Sequence, residues 1–238
     1  MSPTQKKGPV IAIDGPAGTG KSSTTRQLAE LLGFVHIDTG ALYRAVALLA
    51  LRKKIDLSSN LDATARENLT EIAKSSHIEF KRIETLEPKN RVFVNGEDVT
   101  GFIRTEEVSL AASKASSVVG VRSALLGMQR LLGCAGKTIL EGRDIGTVIF
   151  PDADVKFFLT ASSHERAKRR FEELNRSGKL SQTLEEIQFQ IEKRDSDDSN
   201  REIAPLKKAD DAIEIDTTQL SLNQVVQKMV SIVQERVS

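Results

Sequence analysis

The chain has 238 residues, of which 39% are apolar and 28% charged, a balance too apolar for a disordered protein. At roughly 150 residues per domain, that length predicts one large domain or one domain carrying an insert. Charges nearly cancel, with 34 Lys and Arg against 33 Asp and Glu for a net +1. A broad nucleic-acid-binding surface needs a basic excess, so this balance argues against one, though not against a local basic pocket.

The longest apolar run, Ala45 to Leu51, is seven residues, far short of the roughly 20 of a bilayer span. Met1 to Gly8 is polar and lacks the apolar stretch of a signal peptide. Cys134 is the only cysteine, so no intrachain disulfide or cysteine-based metal site can form. Beside Gly133 and Ala135 it reads as a small buried residue. His36, His77 and His164 lie far apart, without metal-ligand spacing, and read as structural. A cytoplasmic protein with neither membrane nor nucleic acid as partner is expected.

In chain order, residues 1–8 read as a flexible tail. Val10-Ile11-Ala12-Ile13 has the continuous apolar pattern of a buried parallel strand. A Gly-rich turn follows, then a helix to Leu32 closed by Gly33. Val35 to Ile37 is a second strand, and Asp38-Thr39-Gly40 opens a helix to about Arg52. Residues 61–74 suggest a helix, with strands at 78–81 and 91–94 joined as a hairpin. Helices are expected at 105–118 and 121–132. Buried strands return at 137–140 and 155–159, charged helices at 162–175 and 183–200, a last strand at 212–215 and a last helix at 221–237.

Alternating strands and helices predict an α/β fold with a parallel sheet covered on both faces. Residues 60–104 read as a small α+β insert. The core is then 9–59 with 105–238.

The segment Gly15-Pro16-Ala17-Gly18-Thr19-Gly20-Lys21-Ser22 matches G-x-x-x-x-G-K-[ST] in full. A strand before it and a helix after it are what a phosphate-binding loop requires. Glycines let backbone N–H groups point at phosphate oxygens, and the helix N-terminus adds positive potential. Lys21 would reach the β- and γ-phosphates, and the Ser22 hydroxyl would ligate Mg²⁺. A nucleoside triphosphate is the implied ligand.

No Asn-Lys-x-Asp guanine motif occurs, which argues against a switch GTPase. The nearest apolar strand with an acidic end, Ile139-Leu140-Glu141, runs straight into Gly142-Arg143-Asp144. A small-molecule kinase needs cations for an anionic acceptor. Asp38 to Arg44 and Glu141 to Thr147 both supply an Arg near a strand end, where open α/β sheets bind ligands. Taken alone, Asp38 and Thr39 are equally well N-cap residues, and Arg44 a solvated charge.

Several ordered stretches resemble bacterial cytidylate kinases, among the P-loop nucleoside monophosphate kinases. They are Gly15 to Ser22, Asp38 to Arg44, Ile103 to Val108, Glu141 to Thr147, Phe150-Pro151-Asp152-Ala153, Glu165 to Arg170, and Arg194-Asp195 through Asn200-Arg201. Together they span about residues 10–207. The resemblance implies a three-layer α/β/α P-loop fold with an acceptor-binding insert, a helical lid at about 162–182, and a monomer. It implies transfer of the γ-phosphoryl group of ATP to CMP or dCMP, with Mg²⁺ held by Ser22, phosphates and water. Gly15, Pro16, Ala17, Gly18, Thr19, Gly20, Lys21, Ser22 and Ser23 would bind ATP.

By the same resemblance Thr39, Arg44, Arg143 and Arg201 would hold the acceptor phosphate. Ser113, Arg122 and Asp144 would read cytosine, and Arg194 with Asp198 would contact the sugar. Lys21, Arg143, Arg166 and Arg170 would act on the transferring group. Ser113 also suits helix packing, Arg122 a helix surface, and Arg194 with Asp198 an ordinary i,i+4 salt bridge. Arg166, Arg169 and Arg170 repel one another unless an anion is present. Thr39 stands where many members have Ser, and Asp197 where some have Arg. A kinase for UMP or AMP, or a non-catalytic nucleotide switch, is the rival reading.

Overall fold

The computed structural model describes residues 6–57, 60–178 and 181–237. Their packing divides into two compact units. One is Met1–Asp38 with Arg130–Ser238, the other Thr39–Gln129. Among the described residues no helix is long and apolar enough to cross a membrane.

The first unit is built on a parallel sheet of β1 (Val10–Asp14), β2 (Val35–Asp38), β6 (Thr138–Gly142), β7 (Val155–Thr160) and β8 (Ile213–Asp216), ordered β2-β6-β1-β7-β8. All five residues of central β1 are buried, which requires cover on both faces and explains its unbroken apolar run. One face packs on α1 (Lys21–Leu32) and α8 (Leu222–Val237): Ile11, Ile13, Ile139 and Phe157 meet Leu28, Val225, Met229 and Val233 around a single core. On the other face Gly133 abuts Phe150 and Leu140, leaving no room for a Cβ.

Helices α6 (Ser163–Arg176) and α7 (Leu184–Ser199) pack through a small satellite core of Ala167, Leu174, Ile187 and Ile191. The expected lid range includes residues 179 and 180, which lie outside the described residues. Of the expected tail, residues 1–5 also lie outside them. Lys6 reaches the Asp152 carbonyl at 2.6 Å, and the Lys7 amide donates to Cys134 at 3.2 Å.

The second unit contains α2 (Gly40–Arg52), α3 (Ala63–Ser75), α4 (Glu106–Ser116) and most of α5 (Val119–Gly133). It also holds an antiparallel sheet of β3 (Ile78–Arg82), β4 (Asn90–Val94) and the two-residue β5 (Glu97–Asp98). The strands share one core with α2 and α4, through Leu42, Val46, Leu69, Val92, Val94 and Ala112. Gly120 lies so close to Thr70 that any side chain there would collide. The helices and strands fall within a residue or two of their sequence expectations, except that β5, a 3-10 turn at Phe102–Arg104 and a π-helical turn at Ile145–Ile149 had no sequence signal.

Candidate active site

Residues 15–20 leave β1 and enter α1 through three left-handed glycines, Gly15, Gly18 and Gly20, with φ of 145°, 78° and 87°. At Gly15 a Cβ would strike the Leu159 carbonyl oxygen, and at Gly18 it would lie 3.0 Å from Arg166 Cβ. Sterics therefore fix the loop as glycine-rich.

Lys21 is buried and donates to the Pro16 carbonyl, with Thr19 Oγ1 3.4 Å away. Burial, and then the neighbouring Arg143, push its pKa well below the usual lysine range, while Glu141 and Asp14 pull it back. Ser22 Oγ donates to Glu141 Oε2 at 2.8 Å. Ser23, next on α1, is exposed.

The end of β6 carries Glu141, Arg143 and Asp144 to the same carboxyl edge of the sheet as the loop, because β6 pairs in parallel with β1. Asp14, the last residue of β1, accepts from the amides of Ile145 and Gly146 at 2.8 and 2.7 Å, fixing the turn that follows Asp144. Arg143 Nε donates to Asp198 Oδ2 at 3.0 Å, and Arg201 lies 3.7 Å from the other oxygen. Burial alone would raise Asp198, but Arg143, Arg201 and Arg194 outweigh it and hold the pKa below the normal range. Thus Asp198 faces Arg143 and Arg201 as well as feeling the charge of Arg194 on its own helix.

The lid arginines differ from expectation. Each has a carboxylate of its own: Arg166 with Asp195 at 2.6 Å, Arg169 with Glu165 at 3.0 Å, Arg170 with Glu173 at 2.9 Å. Mutual repulsion in this cluster therefore implies no external anion. Arg166 is 5% exposed and also donates to the Ala161 carbonyl and to Ala17 in the phosphate loop. Arg170 is more exposed and held one turn along its own helix. Arg169 bonds Thr217, whose hydroxyl donates to the carbonyls of Thr19 and Thr160.

In the second unit Thr39 occupies the N-cap position of α2 and is buried, yet its side chain makes no capping bond. Arg44 lies one turn into that helix, partly buried. Arg122 is no surface charge: it is 8% exposed, donates to the Ser116 carbonyl at 3.3 Å and lies over the Tyr43 ring at 5.5 Å. The Ser113 carbonyl accepts from Ser116 Oγ at 2.8 Å, tying that stretch of α4 to the same neighbourhood.

Sequence reasoning missed Asp14, Asp195 and Thr217. Asp14 had a usable signal, a carboxylate ending an apolar strand just before the loop. Thr217 had none, because its partners are distant in the chain; Asp195 lies in a stretch that carries the resemblance, but its pairing with Arg166 is equally distant.

A family model described as cytidylate kinase matches residues 11–235. The cytidylate kinase of Citrifermentans bemidjiense is 52% identical, over 100% of this chain and 98% of its own. That of Geobacter sulfurreducens is 48% identical over 99% and 97%, and that of Halalkalibacterium halodurans 47% over 95% and 98%. With the phosphate loop and the Arg143–Asp144 turn at one sheet edge, and these relatives matching end to end, the chain belongs to the cytidylate kinase family.

Proposed function

We propose that the protein transfers the γ-phosphoryl group of ATP to CMP or dCMP, giving CDP or dCDP and ADP. The observation that carries this reading is the cationic group of Arg143 and Arg201 around Asp198, on the same edge of the sheet as a complete phosphate loop. A triphosphate needs only the loop, whereas further buried guanidiniums beside it suit a second anion.

Loop amides and Lys21 bind the β- and γ-phosphates. A phosphate beside Lys21 opposes the burial and the Arg143 repulsion that depress its pKa, so binding favours the ammonium form. In the first unit Arg143 and Arg201 suit the acceptor phosphate and Asp144 accepts from a cytosine amine; in the second, Arg44 and the Thr39 hydroxyl suit a phosphate, and Ser113 and Arg122 donate to a ring nitrogen and carbonyl. Asp198, kept ionised, accepts from sugar hydroxyls beside Arg194. Arg166 and Arg170 approach the transferring group from the lid. No side chain serves as general base, because the second pKa of the attacking phosphate is about 6. Alignment and charge neutralisation do the chemistry.

The donor set fits Mg²⁺: Ser22 offers a hard oxygen whose O–H already donates to Glu141, leaving its lone pairs for a cation. Bound there with phosphate oxygens and water, the ion would neutralise charge between the β- and γ-phosphates. The working form in this reading is a cytoplasmic monomer.

ADP release measured with CMP, dCMP, UMP and AMP as acceptors tests the assignment. CMP or dCMP is expected to give the highest kcat/KM. UMP ahead of both would overturn the base-reading roles of Ser113, Arg122 and Asp144. No response to any monophosphate would overturn the kinase reading.

A further inference from the structure

We propose that His36 is a positioning residue for the metal–triphosphate site, acting through Glu141 on the hydroxyl of Ser22. The proposal rests on the reading of the loop as a site for ATP with Mg²⁺.

His36 lies on β2, the edge strand, where the side chain is 13% exposed. In the parallel register His36 stands opposite Ile139, and Asp38 opposite Glu141. Residues two apart on a strand share a face, so His36, Ile139 and Glu141 all point to one side of the sheet. That side carries α1, since Ile139 packs in one core with Leu28 and Ala29. Ser22 is in the first turn of α1.

The result is a chain of three side chains from three elements. His36 Nε2 is 2.8 Å from Glu141 Oε1, and Ser22 Oγ donates to Glu141 Oε2 at 2.8 Å. A carboxylate oxygen only accepts, so the Nε2 that faces it carries the proton. Both oxygens of Glu141 are thereby engaged, one by each neighbour.

A hydroxyl has one proton and two lone pairs. With its proton committed to Glu141, Ser22 keeps its lone pairs for a cation. Glu141 also lies within the electrostatic reach of Lys21, whose ammonium form attracts the same carboxylate. His36 supplies the opposing hold. Without it the carboxylate is free to swing toward Lys21 and release the Ser22 proton to point elsewhere. Partners of this outer kind commonly change metal affinity by roughly 10- to 100-fold.

The test is calorimetric titration of ATP, without acceptor, in EDTA and across a series of free Mg²⁺ concentrations. In His36→Phe the affinity for metal-free ATP should stay within about twofold of wild type, while the Mg²⁺ needed for half-maximal enhancement rises about tenfold. His36→Gln places an amide N–H near the original Nε2 and should restore most of the response. Glu141→Gln should lose the response alone, and His36→Phe/Glu141→Gln should lose no more than Glu141→Gln.

An unchanged Mg²⁺ response in His36→Phe overturns the proposal. So does an equal drop in metal-free and metal-bound affinity, which would mark a packing residue, or a failure of Gln to rescue. If His36→Phe does not fold, the Glu141→Gln and His36→Gln titrations still decide: an unimpaired Mg²⁺ response in Glu141→Gln refutes the relay. A wild-type protein whose ATP affinity ignores Mg²⁺ would overturn the underlying nucleotide reading instead.

Discussion

Asp14 is buried where β1 ends, and it holds the backbone of Ile145 and Gly146 directly after the Arg143–Asp144 pair. Burial raises its pKa from 3.8 to about 6, against the two amide donors, which lower it. The fold therefore binds this proton more tightly than the unfolded chain does. Its stabilising contribution is complete below about pH 4 and is lost as pH rises through about 6. Asp14→Asn removes that titration and turns an NH₂ toward one backbone N–H, at a cost of roughly 1–3 kcal/mol. In urea unfolding the gap between wild type and Asp14→Asn should widen from pH 7 to pH 5 by on the order of 1 kcal/mol. A gap that stays constant over that range would show that Asp14 does not titrate there.

At the scale of elements, α7 has unusual responsibility for its surroundings. It carries Arg194, Asp195 and Asp198, yet packs on α6 through only a small satellite core. Its N-terminus is secured by a full capping box: Thr183 Oγ1 accepts from the Glu186 amide at 3.2 Å, and Glu186 accepts from the Thr183 amide at 2.8 Å. Glu185 and Glu186 also suit the positive end of the helix. Thr183→Ala should cost about 1 kcal/mol. Hydrogen exchange should quicken first at the amides of Glu185 to Ile187, and unchanged exchange there would mean the box contributes nothing.

Elements were largely legible because their signals are local. Continuous apolar runs marked β1, β6 and β7, and Gly33 marked the end of α1. Strand order was not legible, since β6 lies between β2 and β1 through pairings that no local pattern encodes. The site divides in the same way. The loop at 15–22 is contiguous and complete in the sequence. Asp14 meets its partners 131 and 132 residues later, and Ser22 meets Glu141 119 residues later, so only folding reveals them. The charges of α6 and α7 fall between these cases. Their charge was visible, but not that Arg166 would direct its own at Asp195, whose other oxygen has no hydrogen-bond partner among the described residues.

At the scale of the whole molecule, the described residues include two large cores that share no residue. One is centred on Ile11, Ile139 and Phe157 under the parallel sheet, the other on Leu42, Leu69 and Leu125. Each lies within one compact unit. Cores of this kind open as separate cooperative blocks when one is weakened. Leu69 on α3 is fully buried, so Leu69→Ala should cost about 3 kcal/mol through lost contacts and the cavity left behind. The damage should stay local: exchange should accelerate for amides of 39–129, while those of β1, β6 and β7 keep wild-type protection under native conditions. ATP affinity should also hold, because residues 15–23, His36 and Glu141 all belong to the first unit. Equal acceleration in β1 and β6 would instead mean that the 238 residues open as one cooperative block.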